Sequence, residues 1–309
     1  MGQYGRGLSS RLVTSPKVHE VFVAKQDKPM KIVDTHQHLW DLDLFRYSWL
    51  QALPTLNRSF RMKDYLEATK GLDVVKSVHL EADVDEALMF DETRHILKLS
   101  EQPDSPLEGV VACGRPENKG FRAYLEKIVG HPKLKGIRRI LHTQPDDLGR
   151  GQTFIENVAS LASYGLSFDI CVLARQLPVA INLVSRCPDV TFVLDHCGVP
   201  QVKERIVDPW RLHIAELAKF PNVFCKVSGL VAYADPATWT ADDLRPYVEH
   251  VIACFDWDRV LFGSDWPVCT LSATYAQWVE ALRSITRDAG EANQKKLFHD
   301  NAIRVYRLD

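Results

Sequence analysis

The chain has 309 residues, 46% hydrophobic and 25% charged, with a formal net charge of -2 at pH 7. That balance gives no electrostatic footprint for nucleic acid or an anionic membrane, and no run of about 18 apolar residues is present to span a bilayer. The seven cysteines include no CxxC pair, which argues against a disulfide framework and for a reducing, cytoplasmic setting.

Residues 1–30 contain no apolar stretch of signal-peptide length, and Arg6 stands where a myristoylation motif wants Ser or Thr. They are expected to form a flexible or loosely docked arm. The first β-rich run is MKIVDTHQH (30–38). The aromatic segment 39–63 follows, with Trp40, Phe45, Tyr47 and Trp49; it is long for a strand-to-helix loop and is expected to form a lid or pocket wall. Next come VVKSVHLEA (74–82) and EGVVACG (108–114), then a helical pattern over 121–131 and the strand LKGIRRIL (134–141). A helix over 152–165, ending at a Gly165 cap, precedes LSFDICVL (166–173). A helix over 177–188 precedes VTFVLDHC (190–197), and NVFCKVSG (222–229) leads to a helix over 244–255. RVLFGSDWP (259–267) and a helix over 274–285 complete the series.

Most strand runs are apolar almost throughout, as strands covered on both faces should be. Strand and helix alternate about eight times, which is the rhythm of an α/β chain closed into a (β/α)8 TIM barrel. Residues 31–309 hold no linker-like stretch and are expected to be one such domain, with an extended loop after strand 1. A doubly wound dinucleotide-binding sheet is set aside, because no GxGxxG follows the first strand. Cys113, Cys171, Cys197 and Cys225 fall in or just after strands and read as small buried apolar residues.

Chemistry concentrates at strand ends. Residues i and i+2 of a strand point the same way, so His36 and His38 face one side at the end of strand 1. Two imidazoles there can chelate a divalent ion or polarise a carbonyl. Strand 6 ends with His196 and strand 8 with Asp265, and a barrel brings such residues together at its C-terminal rim.

The motifs VDTHQHLWD, GIRRIL, FDICV, VLDHCGVP, KVSGL and LFGSDWPVC, with the closing LFHDNAIRVYRL, resemble the amidohydrolase superfamily across about residues 31–309. More closely, they resemble its sugar-lactonase branch, which includes L-fuconolactone and L-rhamnonolactone hydrolases. The resemblance implies a hydrolase in which Asp265 is the general base that activates water. His36, His38 and His196 would hold one divalent ion with Asp265, zinc or manganese, or in metal-free relatives donate hydrogen bonds to the lactone carbonyl. Arginine near the centre of strand 4, in place of a carbamylated lysine, disfavours a binuclear centre. The branch commonly has lysine where this chain has Val199.

Arg138, His142, Glu81, Trp40 and Lys226 are expected to contact substrate, although Arg138 could instead form a structural ion pair. Glu81 could be a solvated strand end, and Lys226 could snorkel outward. Arg138 and Arg139 alternate in direction, so one should face the helices. Asp169 is a candidate partner behind the site, and Tyr233 and Trp239 could form a sugar platform. The expected partner is a small lactone, with no nucleic acid or membrane and an open oligomeric state. An aldonolactone is the leading substrate. The alternatives are a muconolactone or pyrone carboxylate, for which Arg58, Arg61, Arg115 and Arg138 could supply a clamp, metal-dependent decarboxylation of an aromatic acid, and a barrel that only binds.

Overall fold

A computed structural model describes residues 30–308. Apart from Met30, the arm expected at 1–30 lies outside the described residues. The apolar runs form eight strands: β1 (Ile32–Gln37), β2 (Val74–Leu80), β3 (Leu107–Cys113), β4 (Leu134–Ile140), β5 (Ser167–Cys171), β6 (Phe192–Leu194), β7 (Val223–Val227) and β8 (Val260–Phe262). They pair in parallel in sequence order. The barrel is completed where β8 meets β1: Asp265 N donates to His36 O at 2.7 Å, His38 N donates to Trp266 O at 2.7 Å, and Thr35 Oγ1 donates to Phe262 O at 2.6 Å. This is the TIM barrel that the alternation predicts.

Around it run α1 (Met62–Ala68), α2 (Met89–Ser100), α3 (Phe121–Ile128), α4 (Gln152–Ala159), α5 (Leu177–Arg186), α6 (Trp210–Leu217), α7 (Ala241–Phe255) and α8 (Tyr275–Ile285). The chain closes with α9 (Glu291–Lys295) and α10 (Asn301–Tyr306). Gly165 caps the turn after α4 at φ 64°, a left-handed conformation that glycine adopts without steric cost. Asp243 accepts from both Thr240 N and Thr240 Oγ1 at the start of α7, which extends that helix three residues ahead of the apolar pattern.

Two apolar layers result. One packs helices on strands. The other fills the barrel with Val33, Val78, Leu80, Val111, Val193 and Leu261, together with Val305, Tyr306 and Leu308 from the C-terminus. Lys76 Nζ on β2 donates to Leu308 O at 3.2 Å and Lys135 Nζ on β4 donates to Arg307 O at 2.9 Å, so the C-terminus plugs the barrel end opposite the strand tips. All seven cysteines are free thiols, and six are buried. Among the described residues, no helix is long and apolar enough to cross a membrane.

Candidate active site

The pairing of β1 with β2 is irregular between Asp34 and Gln37, directly beneath the HxH pair. A break in register there re-aims the strand end. His36 and His38 lie with ring centroids 4.9 Å apart, and His36 and His196 with centroids 4.3 Å apart. Asp265 Oδ1 sits 3.4 Å from His38 Nε2, 3.6 Å from His36 Nε2 and 3.9 Å from His196 Nε2. The four residues expected to do chemistry therefore converge.

That convergence needs unusual backbone. His196 and Asp265 have φ of 52° and 59°, a region costly for residues other than glycine. Two glycines make room. A Cβ on Gly229 would lie 2.4 Å from His196 Nδ1, and one on Gly263 would lie 2.7 Å from His36 Cβ.

Each imidazole is held from behind. His38 Nδ1 lies 2.9 Å from Leu80 O, and a carbonyl only accepts, so Nδ1 carries the proton and Nε2 presents a lone pair. His36 Nδ1 lies 3.2 Å from Asp195 Oδ1 and 3.5 Å from Lys226 Nζ, while its Nε2 lies 3.3 Å from Arg138 Nη1 and 3.6 Å from Asp265 Oδ1. Ser228 Oγ meets both the backbone N and the Nδ1 of His196, at 3.2 and 3.0 Å. Burial keeps the His36 imidazole well below its ordinary range although Asp195 pulls it up, and burial lowers His196 although Asp265 opposes it. Both are therefore neutral at pH 7.

Behind the histidines lies a buried ionic network. Arg138 Nε donates to Glu81 Oε1 at 2.8 Å, another guanidinium nitrogen donates to Glu81 O, and Nη1 is 3.3 Å from both Asp195 Oδ2 and His36 Nε2. Lys226 Nζ is 2.6 Å from Asp169 Oδ2 and 3.0 Å from Asp195 Oδ1. Burial alone would raise the Asp195 carboxyl; Lys226, His36 and Arg138 override it and hold it well below the usual range. Burial also works to raise Glu81, and Arg138 overrides it.

The donors fit a metal ion. His36, His38 and Asp265 each offer an atom within 4.8 Å of the others'. The bare His38 Nε2, 3.4 Å from Asp265 Oδ1, calls for a cation or a proton between them. Two cations, Lys226 and Arg138, stand among four carboxylates, Glu81, Asp169, Asp195 and Asp265, an excess of negative charge that also suits a cation.

His38, His196, Asp265, Arg138 and His142 line a cavity of about 300 Å³ whose walls include Trp49, Leu53, Ile140, Tyr233, Val268 and Leu271. Trp49 and Leu53 come from segment 39–63, which therefore walls the mouth as expected. Burial lowers His142 to about 4, and its Nδ1 is 3.3 Å from Cys171 Sγ.

Three expected substrate contacts are corrected. Trp40 faces a separate cavity between its loop and α2, because its indole N–H is tied to Arg58 O at 2.7 Å. Glu81 is 1% exposed and turned back onto Arg138. Lys226 is wholly buried beneath His36, pulled inward by two carboxylates. Trp239 donates to Ser272 O and lines another hollow, whereas Tyr233 does line the cavity. Arg139 faces outward onto Glu117, as alternation requires. Val199 lines a neighbouring hollow rather than the cavity.

Two central residues were not singled out in the sequence, although both lie in motifs that were. Asp195 directly precedes His196. Asp34, two residues before His36, accepts from Ser264 N and Oγ, His36 N, Tyr65 and Tyr275, clamping β1 to the end of β8.

The amidohydrolase family model matches residues 33–308. An L-fucono-1,5-lactonase of Burkholderia ambifaria is 30% identical over 290 residues, covering 90% of this chain and 96% of the relative. An L-fucono-1,5-lactonase of Burkholderia multivorans is 30% identical, covering 89% and 96%. Among solved structures, an amidohydrolase from Burkholderia multivorans with bound zinc superposes with a TM-score of 0.81 at 28% identity, covering 90% of this chain and 99% of that one.

Proposed function

From the premise that this chain belongs to the amidohydrolase family, we propose that it opens the ester ring of a small lactone, a sugar aldonolactone of the kind its relatives take. The observation that carries the reading is Asp265 Oδ1, set among three imidazole nitrogens on the cavity wall.

In this reading Asp265 accepts a proton from water, and the oxygen attacks the lactone carbonyl carbon. The carbonyl π electrons move to oxygen, and the fixed Arg138 guanidinium faces that charge from a site that needs no reorganisation. When the tetrahedral carbon collapses, the ring C–O bond breaks and the alkoxide takes the proton back from Asp265. His36, His38 and Asp265 would hold one divalent ion, zinc or manganese, which when bound supplies Lewis-acid polarisation of the carbonyl. The bare Nε2 of His38 favours this ligand role over direct donation to the carbonyl, since Leu80 O holds its N–H on the far side of the ring. His142, neutral on the wall, offers a hydrogen bond to a ring substituent.

The volume supports a single-ring substrate, at the low end for ligand pockets. The pyrone carboxylate alternative lacks its clamp. Arg58 is exposed beside Asp64, Arg61 is held by Asp41 and Asp43 beside the other cavity, Arg115 is engaged by Cys113, Asp83 and Glu86, and Arg138 by Glu81 and Asp195. The same shortage of free cations counts against an aromatic carboxylic acid bound for decarboxylation. Proton release from a panel of aldonolactones tests the reading. The parent should hydrolyse at least one, and Asp265→Asn should lose about a thousandfold in kcat with a parental Tm. An Asp265→Asn variant as active as the parent would refute the mechanism.

A further inference from the structure

We propose that Asp83 is a substrate-binding residue, the acceptor that reads the ring hydroxyls of a polyhydroxylated lactone. The inference deepens the reading of the cavity as a lactone site and rests on it.

Asp83 lies just past the end of β2 and lines the same cavity as Asp265. Its turn is pinned from several sides. Trp49 Nε1 donates to Ala82 O at 2.8 Å, Asp83 N donates to Glu81 Oε2 at 2.7 Å, and Asp85 N donates to Arg46 O at 3.0 Å. Glu81 is itself held by Arg138. Within this frame Asp83 adopts φ 52°, a region sparsely used by residues with a side chain. Glycine would meet that backbone at no steric cost. The turn alone therefore gives no reason for a carboxylate.

The carboxylate is left free to accept. Among the described residues none donates a hydrogen bond to it. The nearest cation, Arg115, keeps Nη2 3.9 Å from Asp83 Oδ1 and is also drawn to Cys113 Sγ at 2.9 Å and Glu86 at 3.5 Å. The side chain is 31% exposed, so few waters can serve it, and an acceptor short of partners gains from a hydroxyl brought to it. Apart from Asp265, it is the one carboxylate on the cavity wall among the described residues. Trp49, tied to the peptide beside Asp83, sets an apolar ring next to it on the same wall. A sugar lactone has C–H bonds on the face of its ring and hydroxyls at its edge. It suits that pairing, with the face against Trp49 and two neighbouring hydroxyls donating to the two carboxylate oxygens. A lactone without hydroxyls would leave the carboxylate desolvated and unpaired. Asp83 thus sorts rings by their hydroxyls, whereas Asp265 acts on the ester that all of them share.

The test measures kcat and KM on a panel of 1,5-aldonolactones and on δ-valerolactone, the same ring without hydroxyls. Binding of the corresponding 1,5-aldonolactams, which keep the hydroxyls and resist opening, is followed by calorimetry. Asp83→Gly suits the left-handed backbone and removes the acceptor, and Asp83→Asn keeps the shape and removes the charge. The parent should prefer a hydroxylated lactone. Asp83→Gly should lower kcat/KM on that lactone about 10- to 100-fold, mainly through KM, and weaken its lactam to match, as expected for a lost hydrogen bond to an ionised group. On δ-valerolactone the variant should stay within about twofold of the parent, and Asp83→Asn should fall between the two. Equal losses on both kinds of lactone would mean a structural role and overturn the proposal, as would parental kinetics on both. A parent that hydrolyses no lactone would instead sink the functional reading. The lactams then decide this one: affinity lost in Asp83→Gly upholds it, and unchanged affinity or no binding by the parent overturns it.

Discussion

Glu92 should make the protein lose stability as pH rises from 6 to 8, and Glu92→Gln should remove that loss. The side chain sits on α2 at 2% exposure, with Oε1 accepting from Tyr47 OH at 3.0 Å. Burial, then the neighbouring Glu81 charge, push its carboxyl up from 4.5 to about 8, against the opposing hydrogen bond from Tyr47. The folded protein therefore holds this proton through neutral pH, whereas the unfolded chain releases it near pH 4.5. Because the native state binds more protons across that window, stability is greatest below the unfolded value and falls until the folded group titrates. At about 1.4 kcal/mol per pH unit, flattening near pH 8, the loss between pH 6 and 8 is about 2 kcal/mol. For a domain of this size that is a Tm change of roughly 4 °C. Glutamine keeps an acceptor for Tyr47 and carries no proton to lose. Thermal unfolding at pH 5, 6, 7 and 8 should give the smallest Tm gap between parent and variant at pH 5 and a gap that widens steadily up to pH 8, with the variant higher. Parallel profiles would refute the assignment of a buried protonated carboxyl.

Arg138→Met should destabilise the barrel by about 3–5 kcal/mol in urea unfolding, since it leaves the carboxylates of Glu81 and Asp195 buried without that cation; a loss under about 1 kcal/mol would mean the pair is not desolvated as described. Asp195→Asn should weaken zinc binding about 10- to 100-fold by calorimetric titration, because the carboxylate beside His36 Nδ1, which also balances Lys226 and Arg138, would lose its charge. Unchanged zinc affinity would argue that His36 is not a ligand.

The strands were legible because parallel barrel strands are buried on both faces, so apolar runs such as VTFVLDHC mark them without help from alternation. The HxH pair, His196 and Asp265 were legible for a related reason: all stand at strand ends, and a barrel gathers strand ends. The direction of Glu81, Lys226 and Trp40 was not. Each sits beside a strand end, yet its side chain follows partners far off in the chain: Lys226 pairs with Asp169 and Asp195, and Glu81 with Arg138. Period two says which residues share a face, but not how deep along the barrel axis a cation settles. Helices α1, α2, α6, α9 and α10 were not legible in the sequence; α1, α9 and α10 have five to seven residues, too few turns for periodicity to register, whereas α2 and α6 are as long as helices that were legible.

The same distinction separates the two layers of the site. The residues facing the cavity can be picked out by type and position, because water activation and carbonyl polarisation call for a carboxylate and imidazoles. The residues behind them hold each imidazole in place: a carbonyl at Leu80 for His38, a carboxylate at Asp195 with Lys226 for His36, and a hydroxyl at Ser228 for His196. An asparagine at 195 would leave His36 in place while allowing the opposite tautomer, since an amide can donate as well as accept. A site whose histidines are correctly placed but wrongly protonated would bind a lactone and turn it over slowly. Asp195, Lys226 and Asp169 do not line the cavity, yet together they form the charged surroundings of His36.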